Sequence, residues 1–271
     1  MVDLNVFLSY NQNIAHKYQG RVNDLNDKWQ NEILSILKEN GKTSVKDLAE
    51  KTYTSLSTLK RRLNKLQDMN LVIRSHGYVT ANDGNVFLTS FSYRVKLNIA
   101  YKTEIALKAV KLIKNGDVIF LDGSSSCFYM LPYLKEFENL TVITNGIDLL
   151  CALSSTHIKT YSTGGKISEL NKAVLSGTAC EKFLNEMHAD ICFFSAMGLN
   201  EKGIVSDNSE EEASVRREMI KNSTKNVFLC DETKLNLSKT FKICTATDLD
   251  YIVSNLNLKD YFTTKPNTIL L

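Results

Sequence analysis

Three stretches near the amino end of the chain place their apolar residues at helical spacing. These stripes are Trp29, Ile33, Ile36 and Leu37, then Val45, Leu48 and Ala49, then Leu59, Leu63 and Leu66. Gly41 is a natural stop for the first helix, and Ser44 is placed as the N-cap of the second. The run "LVIRSHGYVT" follows and predicts two short strands around a turn at His76–Gly77. Three helices followed by a hairpin predict a winged helix-turn-helix over residues 24–80.

Apolar runs of strand length alternate with helical patterns in the rest of the chain. The predicted strands are "DVIFLD", "LTVITN", "IKTYSTGG", "ICFFSAMG" and "NVFLCD". The intervening helices include "EIALKAVKLIKNG", which we expect Gly116 to end, and "EEEASVRREMIKNS". Short apolar strands separated by helices are typical of a mostly parallel sheet covered on both faces. We therefore predict an α/β domain over residues 91–271, a polar linker at 81–90, and an N-terminal extension of undetermined role at 1–23.

Composition limits the kinds of chemistry to consider. The chain has 271 residues, which suits two domains, and its six cysteines form no C-x-x-C pair. Its four histidines are scattered, so we expect no metal site and no cofactor. The first residues lack the features of a signal peptide, and no apolar run approaches the ~20 residues of a membrane helix. We expect a cytoplasmic protein that does not associate with membranes.

Positive charge is concentrated near the amino end. Residues 41–80 contain 8 Lys and Arg against 3 Asp and Glu, whereas residues 81–271 contain 21 against 22. A local surplus of this kind suits a polyanion such as DNA, because phosphates are attracted and counterions are released on contact. A basic helix face that meets only water is the simpler alternative.

The third helix separates its apolar and polar residues cleanly. When Leu59 is set at the origin of a helical wheel, the other two leucines fall beside it and the polar side chains project away. We predict that Arg61 and Asn64 contact base edges and that Lys60, Lys65 and Thr58 contact phosphates. His76 contacts a phosphate from the wing or is a simple turn residue. The candidate DNA-binding residues are Ser57, Thr58, Lys60, Arg61, Asn64, Lys65 and His76.

This region resembles the DNA-binding domain of the DeoR family of bacterial transcriptional regulators. The likeness runs from Ser44 to Gly77, "SVKDLAEKTYTSLSTLKRRLNKLQDMNLVIRSHG", and includes the Thr58-Leu59-Lys60-Arg61 run of the third helix. Arg62 stands where that family usually carries Asp, and Tyr78 replaces a second glycine of the wing. The resemblance implies that the third helix enters the major groove.

Small and polar residues follow the predicted strands of the second domain. Ligands in open α/β sheets bind at the carboxyl ends of strands, and hydroxyls with free backbone N–H groups at a helix start suit a phosphate. Ordinary Gly/Ser turns are the alternative for any one of these loops. The candidate effector-binding residues are Asp122, Ser124, Ser125, Ser126, Thr144, Asn145, Gly164, Gly165, Lys166, Gly198, Asp231 and Lys234.

The same segments resemble the C-terminal sensor domain of the DeoR family, in order and spacing. The resemblance covers about residues 30–240 and implies a fold similar to ribose-5-phosphate isomerase, a phosphorylated sugar as effector, and an oligomeric repressor. It implies that Ser124, Ser125 and Ser126 face the phosphate with Lys234, and that Asp122 and Asn145 hold sugar hydroxyls.

The sequence therefore predicts a DNA-binding regulator, a repressor of carbohydrate-metabolism genes that is controlled by a sugar phosphate. We expect no catalytic residues, and we expect a homodimer or homotetramer on a double-stranded operator. An isomerase-like enzyme with an accessory DNA-binding module is the alternative. A sensor that has lost its ligand and acts through protein contacts is a third possibility.

Overall fold

The computed structural model describes residues 28–68, 71–81, 91–262 and 268–271. The predicted extension at 1–23, the first residues of the winged domain and nearly all of the predicted linker lie outside these ranges. The described residues fall into two compact units, which divide between Tyr93 and Arg94. Each unit is described by itself below.

The first unit is a winged helix-turn-helix. Its elements in chain order are helix α1 (Lys28–Asn40), strand β1 (Thr43–Ser44), helix α2 (Val45–Lys51), helix α3 (Leu56–Asp68), strand β2 (Val72–Ser75) and strand β3 (Tyr78–Ala81). The predicted caps are confirmed, because Ser44 Oγ accepts a hydrogen bond from Asp47 N at 3.0 Å. Gly41 follows α1 with a φ of +66°.

The apolar stripes of the three helices form one core. Ile33, Leu48, Leu59, Leu63 and Leu66 are each 0% exposed and belong to a single buried cluster. Strands β2 and β3 pair antiparallel, and β1 joins the outer side of β3. The hydrophobic pattern thus fixes which face of each helix turns inward, and the polar face of α3 remains outside.

A seven-stranded parallel sheet forms the centre of the second unit. Its strands are β4 (Val118–Leu121), β5 (Thr141–Thr144), β6 (Lys159–Ser162), β9 (Ala189–Phe194), β12 (Ser223–Cys230), β14 (Tyr251–Ser254) and β15 (Ile269–Leu270). The order across the sheet is β15-β14-β12-β9-β4-β5-β6. Every neighbouring pair is parallel, which confirms the predicted α/β fold class.

Helices and two small sheets surround this sheet. The helices are α4 (Phe91–Lys96, whose second half, from Arg94, belongs to this unit), α5 (Ile99–Ala109), α6 (Ser125–Phe128), α7 (Leu131–Leu134), α8 (Ile147–Leu153), α9 (Thr178–Asn185) and α10 (Glu210–Lys221). The small sheets pair β7 (Lys166–Ile167) with β8 (Leu175–Ser176), and β10 (Gly198–Leu199) with β11 (Ile204–Asp207) and β13 (Phe241–Thr245). The sequence did not predict these antiparallel additions.

Gly116 does not end helix α5, as the sequence predicts, but lies beyond it and before strand β4. Helix α5 ends at Ala109 and passes through a 3₁₀ turn at Val110–Leu112 before the chain extends at Ile113. Gly116 instead occupies the turn before β4, with a φ of +85°. Among the described residues, no helix is both long and apolar enough to cross a membrane.

Candidate DNA-binding and effector sites

Helix α3 presents the polar face that the sequence predicts. Ser57, Lys60, Arg61 and Asn64 are exposed, opposite the buried leucines, whereas Thr58 and Lys65 are partly buried. The helix is capped by Ser55, whose Oγ accepts a hydrogen bond from Thr58 N at 3.3 Å. The exposed donors therefore project from one side of a capped helix, as entry into a groove requires.

Arg62 lies at the edge of the core and not on the exposed face. Its Nη1 donates to Thr54 Oγ1 at 3.2 Å, and its guanidinium lies 5.1 Å from the centre of the Trp29 ring. Arg62 therefore bonds inside the domain. The side chain ties the start of the recognition helix α3 to helix α1.

The wing contributes a cation, Arg74, that was not predicted as a DNA-binding residue from the sequence. Arg74 on β2 donates through Nη1 to Asn64 Oδ1 on α3, so the side-chain oxygen of Asn64, a predicted base contact, is bound to the wing. Arg74 was counted in the basic surplus, but its contact depends on the register of β2, which the charge pattern does not give. Arg74 and Asn64 together present donors to the same surface.

The wing turn holds His76 in a left-handed conformation. His76 and Gly77 have φ values of +48° and +81°, which is the pattern of a type I′ two-residue turn. His76 is exposed, and its Nδ1 lies 2.9 Å from Ser75 Oγ. The predicted site residue therefore sits at the tip of the hairpin.

In the second unit, the predicted loops meet at one edge of the sheet. Because the strands are parallel and adjacent, Asp122, Asn145, Ser195 and Asp231 all follow the carboxyl ends of strands on the same side. Contacts join neighbouring loops: Ser195 N donates to Asp122 Oδ2 at 3.2 Å, and Gly123 N donates to Asn145 Oδ1 at 2.9 Å.

Asp122 is buried and bound on both carboxylate oxygens. Its Oδ1 accepts from Ser124 N at 3.0 Å, and its Oδ2 accepts from Ser195 N and from Arg216 Nε at 2.8 Å. Arg216 also contacts Asp207 at 2.8 Å and Glu212 at 3.2 Å. Burial acts to lower the pKa of Arg216, but the carboxylates of Asp207 and Asp122 raise it overall. The role of Asp122 in this structure is to hold the loop that follows β4.

The residues after β5 are likewise engaged with the protein. Asn145 accepts from Gly123 N and donates through Nδ2 to Leu175 O at 3.0 Å. Thr144 is 0% exposed, and its Oγ1 accepts from Gly146 N at 3.0 Å. A Cβ on Gly123 would lie 2.9 Å from the Gly146 Cα, so these loops depend on close backbone approach. Both polar side chains therefore shape the edge of the sheet.

The three serines after β4, Ser124, Ser125 and Ser126, form a loop that we call the serine loop, and their hydroxyl groups have different surroundings. Ser124 Oγ accepts from Cys127 N at 3.2 Å and caps α6. Ser125 is 8% exposed, and Ser126 Oγ is buried without a hydrogen-bond partner among the described residues. A buried hydroxyl without a partner is costly, so Ser126 is poised to bond a group that enters the loop.

Glycines of two further loops are required by backbone packing. Gly165 has a φ of +98°, and a Cβ there would lie 2.5 Å from Ser176 O. A Cβ on Gly198 would lie 2.4 Å from Leu237 O. Gly164, with a φ of +66°, meets nothing within 4 Å, and the exposed Lys166 pairs with Glu211 at 2.6 Å. Lys166 is thus held by a carboxylate on α10.

Two lysines lie near the carboxylate of Asp231 at the end of β12. Lys234 Nζ lies 3.6 Å from Asp231 Oδ2, and the Lys234 side chain is 17% exposed. Lys102, on α5, is 3% exposed, and its pKa is lowered to about 7, first by burial and then by the like charge of Lys234. Burial acts to raise the pKa of Asp231, but Lys234 and Thr233 lower it overall. When Lys102 is protonated, this cluster carries one positive charge more than its carboxylate neutralises.

Lys102 was not predicted as a site residue, because the sequence around it is that of an ordinary amphipathic helix. Its Nζ donates to the carbonyls of Arg94 and Leu97, at 2.5 and 2.6 Å, and lies 6.0 Å from the centre of the Tyr129 ring. Helix α5 packs against α6, which carries Ser125 and Ser126. Lys102 lies on the apolar face of the predicted helix "KTEIALKA". A charged residue on such a face is unusual, and this is the signal by which the sequence could have identified Lys102.

Comparisons with known proteins agree with this two-part architecture. A family model described as the DeoR C terminal sensor domain matches residues 97–255, and a winged helix-turn-helix DNA-binding model matches residues 27–73. Ribose 5-phosphate isomerase A from Methanocaldococcus jannaschii is similar over 49% of this chain and 53% of its own, at 21% identity and a TM-score of 0.37.

Curated relatives span most of the chain. The HTH-type transcriptional regulator GolR of Listeria innocua is 31% identical over 83% of this chain and 89% of its own length. The L-fucose operon activator of Haemophilus influenzae is 31% identical over 84% and 91%. The HTH-type transcriptional repressor GlcR of Bacillus subtilis is 28% identical over 82% and 86%. The chain is a DNA-binding transcriptional regulator and belongs to the DeoR family.

Proposed function

We propose that this regulator represses carbohydrate-metabolism genes in the cytoplasm and is released from its operator by a phosphorylated sugar. The observation that carries the proposal is the cation cluster of Lys102 and Lys234 beside the serine loop. A phosphate placed there would favour the protonated form of Lys102 and accept hydrogen bonds from Ser124, Ser125 and Ser126. Asp122 and Asn145, whose polar atoms bond to the protein, support the loops and leave the hydroxyls of the sugar to other groups.

Lys102 and Tyr129 hold the first segment of the sensor, Arg94–Leu97, by hydrogen bonds to its carbonyl groups. Lys102 binds the carbonyls of Arg94 and Leu97, and Tyr129 OH donates to Val95 O at 2.7 Å. The Arg94 guanidinium donates to Asn171 Oδ1 at 3.2 Å. An anion that draws Lys102 toward itself weakens its hold on these carbonyls. We infer that effector binding is transmitted to the DNA-binding unit by changing how Arg94–Leu97 is held.

In the DNA-binding unit, we propose that Arg61 contacts a base edge and that Lys60 and Lys65 contact phosphates. His76, at the tip of the wing, is the candidate for a further phosphate contact. Ser57 and Asn64 complete the exposed face, and Arg74 joins it through Asn64. Two heads on a dimer or tetramer would read a palindromic or repeated operator.

The isomerase alternative is weaker, because its candidate bases are neutralised by cations. Asp122 and Glu212 bind Arg216, Glu211 binds Lys166 at 2.6 Å, and Glu210 pairs with Arg217. A general base must reach a substrate proton with a free lone pair, and Asp122 directs both of its carboxylate oxygens to partners within the protein. We therefore propose a regulator without enzymatic activity.

The test combines two measurements on the full-length protein. A thermal-shift panel of sugar phosphates identifies compounds that stabilise it, and each is then assayed for turnover. Gel shifts use DNA from upstream of the protein's own gene cluster, with and without those compounds. Stabilisation without turnover, together with release from DNA, supports the proposal; isomerisation of a stabilising compound, or DNA binding that no sugar phosphate changes, contradicts it.

A further inference from the structure

Two residues of the first unit adopt a backbone conformation that their side chains disfavour. Among the described residues, five other than glycine have a positive φ, and three of these are asparagines, which tolerate it. The other two are Tyr53 and His76, each with a φ of +48°. Tyr53 lies in the turn before the recognition helix, and His76 lies in the turn at the tip of the wing.

Tyr53 occupies the position of a helix end where glycine is preferred. Helix α2 ends in a Schellman motif: Thr54 N donates to Ala49 O at 3.0 Å, and Tyr53 N donates to Glu50 O at 3.2 Å. The residue between Thr52 and Thr54 in this motif must be left-handed. A tyrosine there costs stability that a glycine would not, because its Cβ crowds the following carbonyl.

The tyrosine ring recovers none of this cost by packing. Tyr53 is 97% exposed, whereas the apolar stripes on either side of it are buried. Strained residues that local packing does not require are concentrated at functional sites. The observation therefore points to a role for this ring outside the domain's own core.

The position of Tyr53 indicates which partner it meets. It lies two residues before Ser55, the cap of the recognition helix, and the amino end of that helix is the end that enters a groove between the phosphate strands. From Lys51 to Gln67 the sequence contains no acidic residue that would repel a phosphate. Tyrosine hydroxyls are among the donors that bind DNA phosphates.

We propose that Tyr53 binds the DNA backbone beside the groove that the recognition helix enters, with its hydroxyl donating to a phosphate. The inference rests on the proposed DNA-binding surface and adds to it a contact that is independent of base sequence. It predicts that the winged unit sacrifices stability at Tyr53 for DNA affinity.

The test compares Tyr53→Gly and Tyr53→Phe in the full-length protein, with Tyr161→Phe as a control on an exposed tyrosine of the sensor. Trp29, the one tryptophan of the chain, reports unfolding of the winged unit by its fluorescence. Affinity is measured by fluorescence anisotropy with a labelled duplex of random sequence, at ~50 mM and ~200 mM salt, because a phosphate contact does not need the operator. Arg61→Ala is measured in parallel.

Tyr53→Gly should raise the Trp29 unfolding midpoint by several degrees and weaken duplex binding roughly tenfold. Tyr53→Phe keeps the strain and the ring, so its midpoint should not change while its affinity falls at least about threefold. Unchanged affinity in both variants overturns the inference, as does a change of oligomeric state in sedimentation, which would assign Tyr53 to a protein contact. If Arg61→Ala weakens binding and the Tyr53 variants do not, only this inference fails; if Arg61→Ala also has no effect, the proposed surface fails.

Discussion

Arg216 and Asp122 form a buried ion pair that joins helix α10 to the loop after strand β4. The Nε–Oδ2 distance is 2.8 Å, and the two side chains are 8% and 1% exposed. Arg216 reaches Asp207 and Glu212 with its other nitrogens, so one guanidinium holds three carboxylates. The arrangement fixes the edge of the sheet where we place the effector.

Replacing Arg216 should be strongly destabilising. Arg216→Met leaves Asp122 and Asp207 buried without their cation, and breaking a buried pair in this way costs about 3–5 kcal/mol. Urea unfolding followed by circular dichroism measures the change. Arg217→Met is the matched control, because Arg217 is more exposed and its pair with Glu210 contributes about 1 kcal/mol at most. Equal losses in the two variants would mean that the buried network does not support the fold.

Asp207 should give the sensor a characteristic dependence on pH. Burial raises the pKa of Asp207 to about 6, against the opposing effect of Arg216. Because the pKa of Asp207 in the folded protein lies above its ordinary value of 3.8, the folded state binds the proton more tightly than the unfolded chain. The contribution of Asp207 to stability is therefore fully present below pH 3.8 and is lost as pH rises through 6.

Asp207→Asn isolates this contribution. The free energy of unfolding of the wild type minus that of the variant should fall between about pH 4 and pH 6, by on the order of 1–3 kcal/mol, and then stay level. Urea titrations at several pH values give both curves. Parallel curves over this range would show that Asp207 does not titrate as proposed.

The sequence predicted the elements of both units because their apolar periods are strong. The leucines of α3 and the short apolar runs of β4, β5 and β9 need no tertiary information to be recognised. It did not predict the sheet of β10, β11 and β13, since β10 has only two residues and polar residues such as Asp207 and Lys242 interrupt the apolar runs of the other two strands. The prediction that Gly116 ends the helix before β4 was also wrong, because Gly116 lies in the turn that follows.

The candidate site was predicted less completely than the fold. The sheet order places the loops that follow the predicted strands at one edge of the sheet. The partners of Asp122 could not be predicted, because Arg216 is 94 positions further along the chain and reaches it only through tertiary packing. Lys102 and Arg74 were missed for the same reason: their meaning depends on which side chains face them.

Although Arg61 and Arg62 are adjacent, we expect substitution of Arg61 to weaken DNA binding and substitution of Arg62 to lower stability. Arg61 is exposed, and Arg61→Ala should cost roughly 1–3 kcal/mol on specific DNA with little effect on folding. Arg62 bonds Thr54 and stacks on Trp29, so Arg62→Ala should cost about 1–2 kcal/mol of stability. Gel shifts and Trp29-monitored unfolding of both variants provide the comparison. The opposite pattern would place Arg62, not Arg61, on the DNA.

Tyr129 should couple the effector to DNA without binding the effector itself. Its hydroxyl donates to Val95 O at 2.7 Å, and Tyr129→Phe removes that bond while the ring stays in place. We expect a stability loss of about 1 kcal/mol and a smaller release of DNA at saturating effector. Thermal-shift titrations should give the same effector affinity as the wild type. A normal release in the variant would argue that Arg94–Leu97 does not transmit the signal.

Lys102 should take up a proton when a phosphorylated effector binds. With a pKa of about 7, it is mostly neutral at about pH 8 in the free protein. An anion beside it favours the charged form and raises the pKa, so binding at that pH should draw protons from the buffer. Calorimetry in buffers of different ionisation enthalpy measures the uptake, using a sugar phosphate found in the thermal-shift panel. Lys102→Met should abolish the uptake and weaken binding, whereas Lys111→Met, at an exposed position shortly after the same helix, should leave both unchanged. Proton uptake that persists in Lys102→Met would place the titrating group elsewhere in the sensor.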